Sequence, residues 1–566
     1  MTGNSSFSLR DDPFAPEADA LYYLPLGGSG EIGMNLSLYG HDGAWLMVDL
    51  GISFPDETMP GIEVIMPDHA FIKERRDALV GLVLTHAHED HLGAVQYLWP
   101  DLKCPVYATP FTAAVLRAKL HERGLAGKVE IHEIPLGGRF SLGPFDLEFI
   151  TVTHSIPEPN ALAIRTKAGT VLHTGDWKLD PQPLIGDVAD EERLRAIGDD
   201  GVLALVGDST NALSPGWTGS EAEVRTALTA EFQKYRQRIA VTCFATNVTR
   251  LESIAVAAAA AGRHAALVGR SLWRIHEAAK ATGYLTDIPP FLSEYDAGFL
   301  PPDKVVLACT GSQGEPRSAL ARIAAGDHPQ IVLDPGDVVI FSSRDIPGNE
   351  RAIARVQNRL AERGVTVVTG EEAGVHVSGH PARDELAQMY QWVRPRIAVP
   401  VHGDIRRQRA HAELALSCQV AETVVPANGD MVRLAPGAPK AVAAVPVGRL
   451  ALDGKRLINL ATDTVRSRAR LVNAGAVVAT LVVGGRGDIL APPQIAVMGL
   501  LEGVDADRDL LLDLSDIARE AVGNLPKAQR LEDSLVREAA RLALRRAVSA
   551  RFGKKPITEV HLVRLD

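Results

Sequence analysis

Cysteine is scarce in this chain: four in 566 residues, Cys104, Cys243, Cys309 and Cys418, with no two at a metal-binding spacing. That argues against a cysteine-based zinc site and a disulfide framework, fits a reducing compartment, and leaves histidines and carboxylates to hold any metal. Long apolar runs are also missing, since nothing approaches the roughly 18 uninterrupted residues of a membrane-spanning helix. The first twenty residues, MTGNSSFSLRDDPFAPEADA, have neither an apolar core nor a basic start, so no secretory leader and no membrane association are expected, and a cytoplasmic location is. Positive charge is not in excess: 59 Lys and Arg face 70 Asp and Glu, a net charge of -11. This speaks against a protein that coats nucleic acid indiscriminately, because such affinity rests on many basic contacts to phosphates. A local basic channel stays open. Arginine falls in short groups such as DIRRQRAH (404–411) and VREAARLALRRAVSARFGKK (536–555); the second has helical spacing, with Leu542 and Val548 among its apolar positions, and reads as a solvated face or an interface rather than an RNA stripe. No repeat or low-complexity tract interrupts the chain.

What is present is the length and balance of about three globular domains. Residues 21–49 read as strand, glycine loop, strand, turn, strand. Gly28, Gly30 and Gly33 spell G-x-G-x-x-G, but a dinucleotide fold needs a helix after them, and here the turn His41-Asp42-Gly43 between alternating runs predicts a hairpin. Strands are expected at 80–85, 105–108, 145–152, 161–166, 170–173 and 202–206, with a helix over 110–124, making an α/β layered first region. After GDSTN (207–211) and the turn-like LSPGWTGS (213–220), helices and strands alternate as in a parallel α/β unit. A loop, a helix and a strand ending near His402 follow. From about Pro446, strands and a long helix suggest a small α+β domain.

The stretch LVLTHAHEDHLGA (82–94) crowds three histidines and two acids into six positions behind a short apolar run. A strand with both faces buried would place this cluster on the loop at its carboxyl end. His86 and His88, at alternate positions, can point the same way, and the next turn brings Asp90 and His91 to a second point nearby. A zincin helix, with two histidines at i and i+4, is absent. His154, Asp176 and His402 each follow another strand-like run. Together these seven suit two adjacent ions: His86, His88 and His154 for one, Asp90, His91 and His402 for the other, and Asp176 between.

THAHEDH, VTHSIPEPNALAI, LHTGDWKLD and VDLG resemble the metallo-β-lactamase superfamily. FATNVTR, TGSQGEPRSAL, HVSGHP and PVHGD closely resemble the β-CASP ribonucleases of the bacterial RNase J family, over nearly the whole chain. The resemblance implies an αββα sandwich with an inserted parallel β-CASP domain and a C-terminal α+β domain. The expected segments are 1–219 and 376–448 for the sandwich, 220–375 for the insertion and 449–566 for an association domain. Carried over by residue, it implies the same seven metal ligands, with Asp90 and Asp176 also catalytic, and Asp49 steadying the ligand loop. Asp208, His380 and His402 match the β-CASP motif positions. His376, Val377, Ser378, Gly379 and His380 match a phosphate-binding loop, and Thr246, Asn247 and Arg250 a stretch facing RNA. Ser312 lies in TGSQGEP (310–316), whose small residues suit an approach of backbone N–H groups to a phosphate.

The implied activity is a two-metal hydrolysis of single-stranded RNA, 5′-to-3′ from a 5′-monophosphate end and also internal, serving RNA maturation and mRNA decay. A water-derived hydroxide would attack in line and leave a 5′-phosphate and a 3′-hydroxyl, with His380 serving the leaving group and Asp208 orienting it. Two Zn2+ or Mn2+ ions per subunit, a homodimer or homotetramer and a place in an RNA-degradation complex are also implied. A small-ester or lactam hydrolase would leave the insertion unexplained, and a non-catalytic RNA scaffold would leave the ligand set unexplained.

Overall fold

The computed structural model describes residues 12–565 apart from 57, 347 and 502–507, so the first eleven residues of the stretch read for a leader lie outside it. The described residues form two compact units, one within 1–54 and 64–449, the other within 55–63 and 450–566.

Two sheets make the body of the first unit. One runs in the order Lys440–Ala444, Asp430–Ala435, Leu21–Gly27, Leu36–His41, Ala44–Val48, Leu79–Val83, Val106–Ala108, Ile131–Glu133. The other runs Glu422–Thr423, Ile397–Val401, Ala204–Asp208, Gly169–His173, Asn160–Thr166, Phe145–Thr151, Arg139–Leu142. Strand alternation decides which core each side chain joins. Phe145, Leu147 and Phe149 meet Leu46, Val48 and Val83 between the sheets. Ile150, with Ala161 and Ala163 of the next strand, faces the opposite way, under Leu194, Ile197, Leu386 and Met389 of helices Glu191–Asp200 and Arg383–Val393. Helices outside paired sheets give the layered sandwich, and the glycine loop is followed by the hairpin Leu36–His41 and Ala44–Val48 rather than by a helix.

The inserted region holds a six-stranded, wholly parallel sheet in the order Leu292–Ser293, His264–Val268, Val305–Cys309, Ile239–Thr242, Val338–Phe341, Thr366–Val368. Its central strands are apolar on both faces, as helix-covered parallel strands must be. Val306 and Ala308 join one core and Val305, Leu307 and Cys309 the other.

The second unit packs helices Arg508–Gly523 and Asp533–Phe552 on one face of the sheet Ile489–Met498, Ala476–Gly484, Ile557–Leu565. Both helices bury residues four apart: Leu510, Leu514, Ala518 and Val522 in one, Val536, Ala540, Leu544 and Val548 in the other. The buried stripe therefore runs through Leu544 and Val548, and Leu542, expected on the apolar face, is only half-buried. Among the described residues no helix is long and apolar enough to cross a membrane.

Candidate metal centre

Strand direction gathers the site. Strands Gly169–His173, Ala204–Asp208 and Ile397–Val401 lie side by side and parallel, so Asp176, Asp208 and His402 emerge at one edge, the carboxyl end where α/β sheets collect functional groups. Phe145–Thr151, two antiparallel steps away, runs the same way and delivers His154. The 86–91 loop leaves Leu79–Val83 and enters the short helix Glu89–Leu92. A backbone clasp fixes that helix: Asn35 N donates to Asp90 O (3.0 Å), Leu50 N to His91 O (2.7 Å) and Ile52 N to Glu89 O (3.0 Å). The fit is close enough that a Cβ on Gly51 would stand 1.6 Å from Asp90 O.

Four imidazoles donate Nδ1–H to fixed acceptors and so turn Nε2 inward. His86 Nδ1 lies 3.0 Å from Thr85 Oγ1, whose own proton goes to Asp49 Oδ2 at 2.9 Å. His91 Nδ1 is 2.7 Å from Asp49 Oδ2, and His402 Nδ1 is 2.9 Å from Asn35 Oδ1. His154 Nδ1 bonds the Gly379 carbonyl, and a side chain at Gly379 would strike the His154 ring at 2.6 Å. Such acceptors behind a histidine fix its tautomer and raise its basicity toward a metal.

The inward atoms form two groups sharing Asp176, and a third, of Asp176, Asp208, His380 and His402, overlaps them. His86, His88 and His154 join Asp176 in the first, Asp90, His91 and His402 in the second, with candidate ligand atoms within 4.8 Å of one another. His88 Nδ1 sits 3.1 Å from His86 Nε2 and 3.0 Å from His154 Nε2. One Nδ1 proton cannot serve both lone pairs, and these spacings are near the ~3.3 Å edge of a tetrahedron with metal–nitrogen bonds of about 2.0 Å. Asp176 Oδ2 is 3.8 Å from His86 Nε2, 3.1 Å from His91 Nε2 and 3.5 Å from His402 Nε2. Among the described residues, buried Asp176 Oδ1 and His402 Nε2 have no hydrogen-bond partner. This donor set fits cations. Burial, with the neighbouring rings, holds His86 and His154 well below the usual histidine range, in the neutral form a metal requires. Burial also opposes charge on His91, yet Asp176, Asp90 and Asp49 outweigh it and raise His91 well above that range. A proton there occupies the place of a cation among carboxylates.

Beside the second group, His380 Nδ1 bonds Asp208 Oδ2 at 2.7 Å. Burial works against the charged ring, but Asp208 and Asp176 raise it to about 9. The loop 376–380 is half-buried. Asn211 Nδ2 donates to Ser378 Oγ and to His380 O, both at 2.9 Å, and Thr218 Oγ1 donates to His380 O at 2.8 Å.

Several residues expected to face RNA are placed otherwise. Arg250 is fully buried: it pairs with Glu221 at 3.1 Å and donates to Ser342 O (2.8 Å) and Val375 O (3.2 Å), which makes it an internal prop beneath the 376–380 loop. Asn247 is buried, and its side chain caps helix Val248–Ala260 through Arg250 N at 2.8 Å. Thr246 is half-buried just before it. Ser312 is buried, and within TGSQGEP the N–H groups of Gln313 and Gly314 already bond Glu315 Oε2 and Gly311 O, so they do not await a phosphate.

Sequence reasoning missed Asn35 and Asn211. The signal for Asn35 was its place after the glycine loop, for that loop seats His402: Gly28 O accepts from His402 N at 2.7 Å, and Ser29–Gly30 pairs with Gly403–Asp404. Asn211 was visible as the end of GDSTN.

Family models match in four segments: a β-lactamase superfamily domain (53–198), a ribonuclease J β-CASP domain (236–360), a Zn-dependent metallo-hydrolase RNA specificity domain (364–423) and a ribonuclease J C-terminal domain (463–565). The chain is 45% identical to ribonuclease J of Sinorhizobium meliloti over 97% of its own length and 98% of that protein's. It is 38% identical to ribonuclease J of Corynebacterium glutamicum, over 97% and 76% of the two chains, and 33% identical to that of Helicobacter pylori, over 95% and 78%. A crystal structure of a protein of unknown function from Enterococcus faecalis V583 superposes with a TM-score of 0.51 at 16% identity, over 73% of this chain and 100% of that one, a likeness of fold alone.

Proposed function

From the premise that this chain belongs to the ribonuclease J family of metallo-β-lactamase/β-CASP ribonucleases, we propose a two-metal enzyme that digests single-stranded RNA 5′ to 3′ from a monophosphorylated end and also cuts internally. His86, His88 and His154 would hold one divalent ion, Asp90, His91 and His402 the other, with Asp176 reaching both. The imidazole-rich set suits zinc, and its carboxylates also admit manganese. Bound ions would supply positive charge for an attacking water and for the phosphoryl oxygens.

The protein's own groups do the rest. Asp208 engages His380 Nδ1–H, so Nε2–H is the proton His380 can hand to the departing 3′ oxygen, leaving a 5′-phosphate and a 3′-hydroxyl. Nearby cations would lower His380 from its raised value toward neutrality, where an acid donates and recovers its proton readily. Ser378 and His376 would take the 5′-monophosphate, which a triphosphate would overfill. The enzyme is assigned to the cytoplasm and to RNA maturation and mRNA decay, with residues 449–566 as its association domain and a place in an RNA-degradation complex.

The observation that carries this reading is the meeting of the two overlapping His/Asp groups with the Asp208–His380 pair and the 376–380 loop. The test is to incubate the protein with 5′-monophosphorylated RNA, a lactam and a thioester, with and without chelator, and to analyse metal content and product ends. Chelator-sensitive release of 5′-phosphorylated products from RNA alone is expected; turnover of the small esters instead would overturn it.

A further inference from the structure

Arg344 stands after strand Val338–Phe341, in SSRDIPGNE (342–350), and its side chain is exposed. It is nevertheless held at both ends. Nη1 donates to Asn211 Oδ1 at 2.7 Å, and Asn211 uses its Nδ2 on Ser378 Oγ and His380 O, so one amide joins the guanidinium to the 376–380 loop. At the backbone, buried Gln313 donates Nε2–H to Arg344 O at 2.8 Å, while its Oε1 accepts from Ile346 N (2.9 Å) and Asn349 Nδ2 (3.2 Å). TGSQGEP thus braces the loop that carries Arg344.

The charge balance sets this arginine apart. Three cations act on the His376 ring: Arg250, Arg344 and Lys178. Arg250 is paired with Glu221 and Lys178 with Asp180. Arg344 makes no ion pair among the described residues. Ser378 and a neutral His376 offer a phosphate hydrogen bonds only, whereas a terminal monophosphate brings close to two negative charges to an edge that already holds Asp176 and Asp208. A guanidinium fork matches two phosphate oxygens in geometry and charge.

We propose that Arg344 is the cation that pairs with the 5′-terminal phosphate of the RNA and so sets the preference for a monophosphorylated end. The proposal rests on the reading of the 376–380 loop as the terminal-phosphate site. Because the side chain is exposed, Arg344→Ala should fold as the parent does, which a thermal melt checks.

The experiment measures kcat/KM for one single-stranded RNA carrying a 5′-monophosphate or a 5′-hydroxyl, with parent, Arg344→Ala and Arg344→Lys proteins. Loss of a charge-assisted contact should shrink the monophosphate-to-hydroxyl ratio by about 10- to 100-fold in Arg344→Ala. Arg344→Lys, which keeps the charge without the fork, should fall between. An Arg344→Ala protein that retains the parent's ratio, whether through equal losses on both RNAs or none, would overturn the proposal. A parent that does not distinguish the two RNAs would instead overturn the terminal-phosphate reading itself.

Discussion

Asn35 Oδ1 accepts a hydrogen bond from His402 Nδ1 at 2.9 Å, across 367 residues of chain. The same amide donates through Nδ2 to Asp90 O at 2.9 Å, and its nitrogen lies 3.1 Å from His91 Nε2. One side chain therefore holds two of the groups assigned to the second ion, the His402 ring and the Asp90 backbone. Asn35→Ala is expected to weaken metal binding there by about 10- to 100-fold, as loss of a partner behind a ligand does. Equilibrium dialysis with zinc or manganese checks it: one site per chain should weaken, and activity should return at high metal. Unchanged affinity at both sites would reduce Asn35 to a packing residue.

Asp90 is only partly buried and its carboxylate contacts His91 and His402 at 3.6 and 3.7 Å, and removing it leaves both buried rings still facing Asp176. Asp90→Ala should abolish RNA cleavage with little change in melting temperature. Substantial cleavage by a folded Asp90→Ala protein would leave the two-metal mechanism without support.

The parts of this site legible in the sequence were those that repeat a simple geometry. An apolar run followed by a histidine or aspartate marks a strand end, and four such ends supplied the seven candidate ligands, while Asp208 came from the family resemblance. The illegible parts depend on partners remote in sequence. Nothing near Arg250 announces that Glu221 will neutralise it inside the fold, so it reads as a surface cation. Asn35 is an amide, which carries no metal signature, and its role appears only when His402 closes on it. In the C-terminal helix Val548 lies on the buried stripe as expected, but Leu542 does not. Leu542 and Leu544 are both apolar, and only packing against the sheet selects the second.

Glu148 provides a pH test remote from the metal centre. It is buried on strand Phe145–Thr151 and contacts Arg193 (2.7 Å), Arg165 (2.6 Å) and Arg139 (3.1 Å). Burial alone would raise its carboxyl group, but Arg193 and Arg165 outweigh that and pull it to about 2. A carboxylate depressed on folding stabilises the fold above its unfolded value of about 4.3 and loses that contribution as pH falls toward the folded value. Glu148→Gln should therefore melt lower than the parent at pH 7, with the gap narrowing from pH 4.5 downward. Paired melts in chelator at pH 7 and pH 3.5 separate this from metal loss. A gap that stays constant or widens in acid would contradict it.

The last prediction concerns assembly. In the second unit, Val477, Ala479, Leu481 and Val483 point to the helices, so Val478, Thr480 and Val482 of the same strand point the other way. The register puts Val563 beside Val482 and Met498 beside Ala476 on that opposite face, where Val563 is 47% and Met498 54% exposed. Helix Asp463–Ala474 of this unit touches strand Ile557–Leu565, yet Val563 and Met498 stay exposed. A half-apolar sheet face is costly to leave in water, and a two-fold contact with a second copy is the commonest way soluble chains cover one. A charge placed there would be buried at the contact without a partner, yet would remain solvated in the monomer. The double variant Met498→Arg, Val563→Arg should keep its melting temperature at low concentration, where the parent also dissociates, and shift from dimer to monomer in light scattering. A variant that stays as associated as the parent would move the interface to another surface.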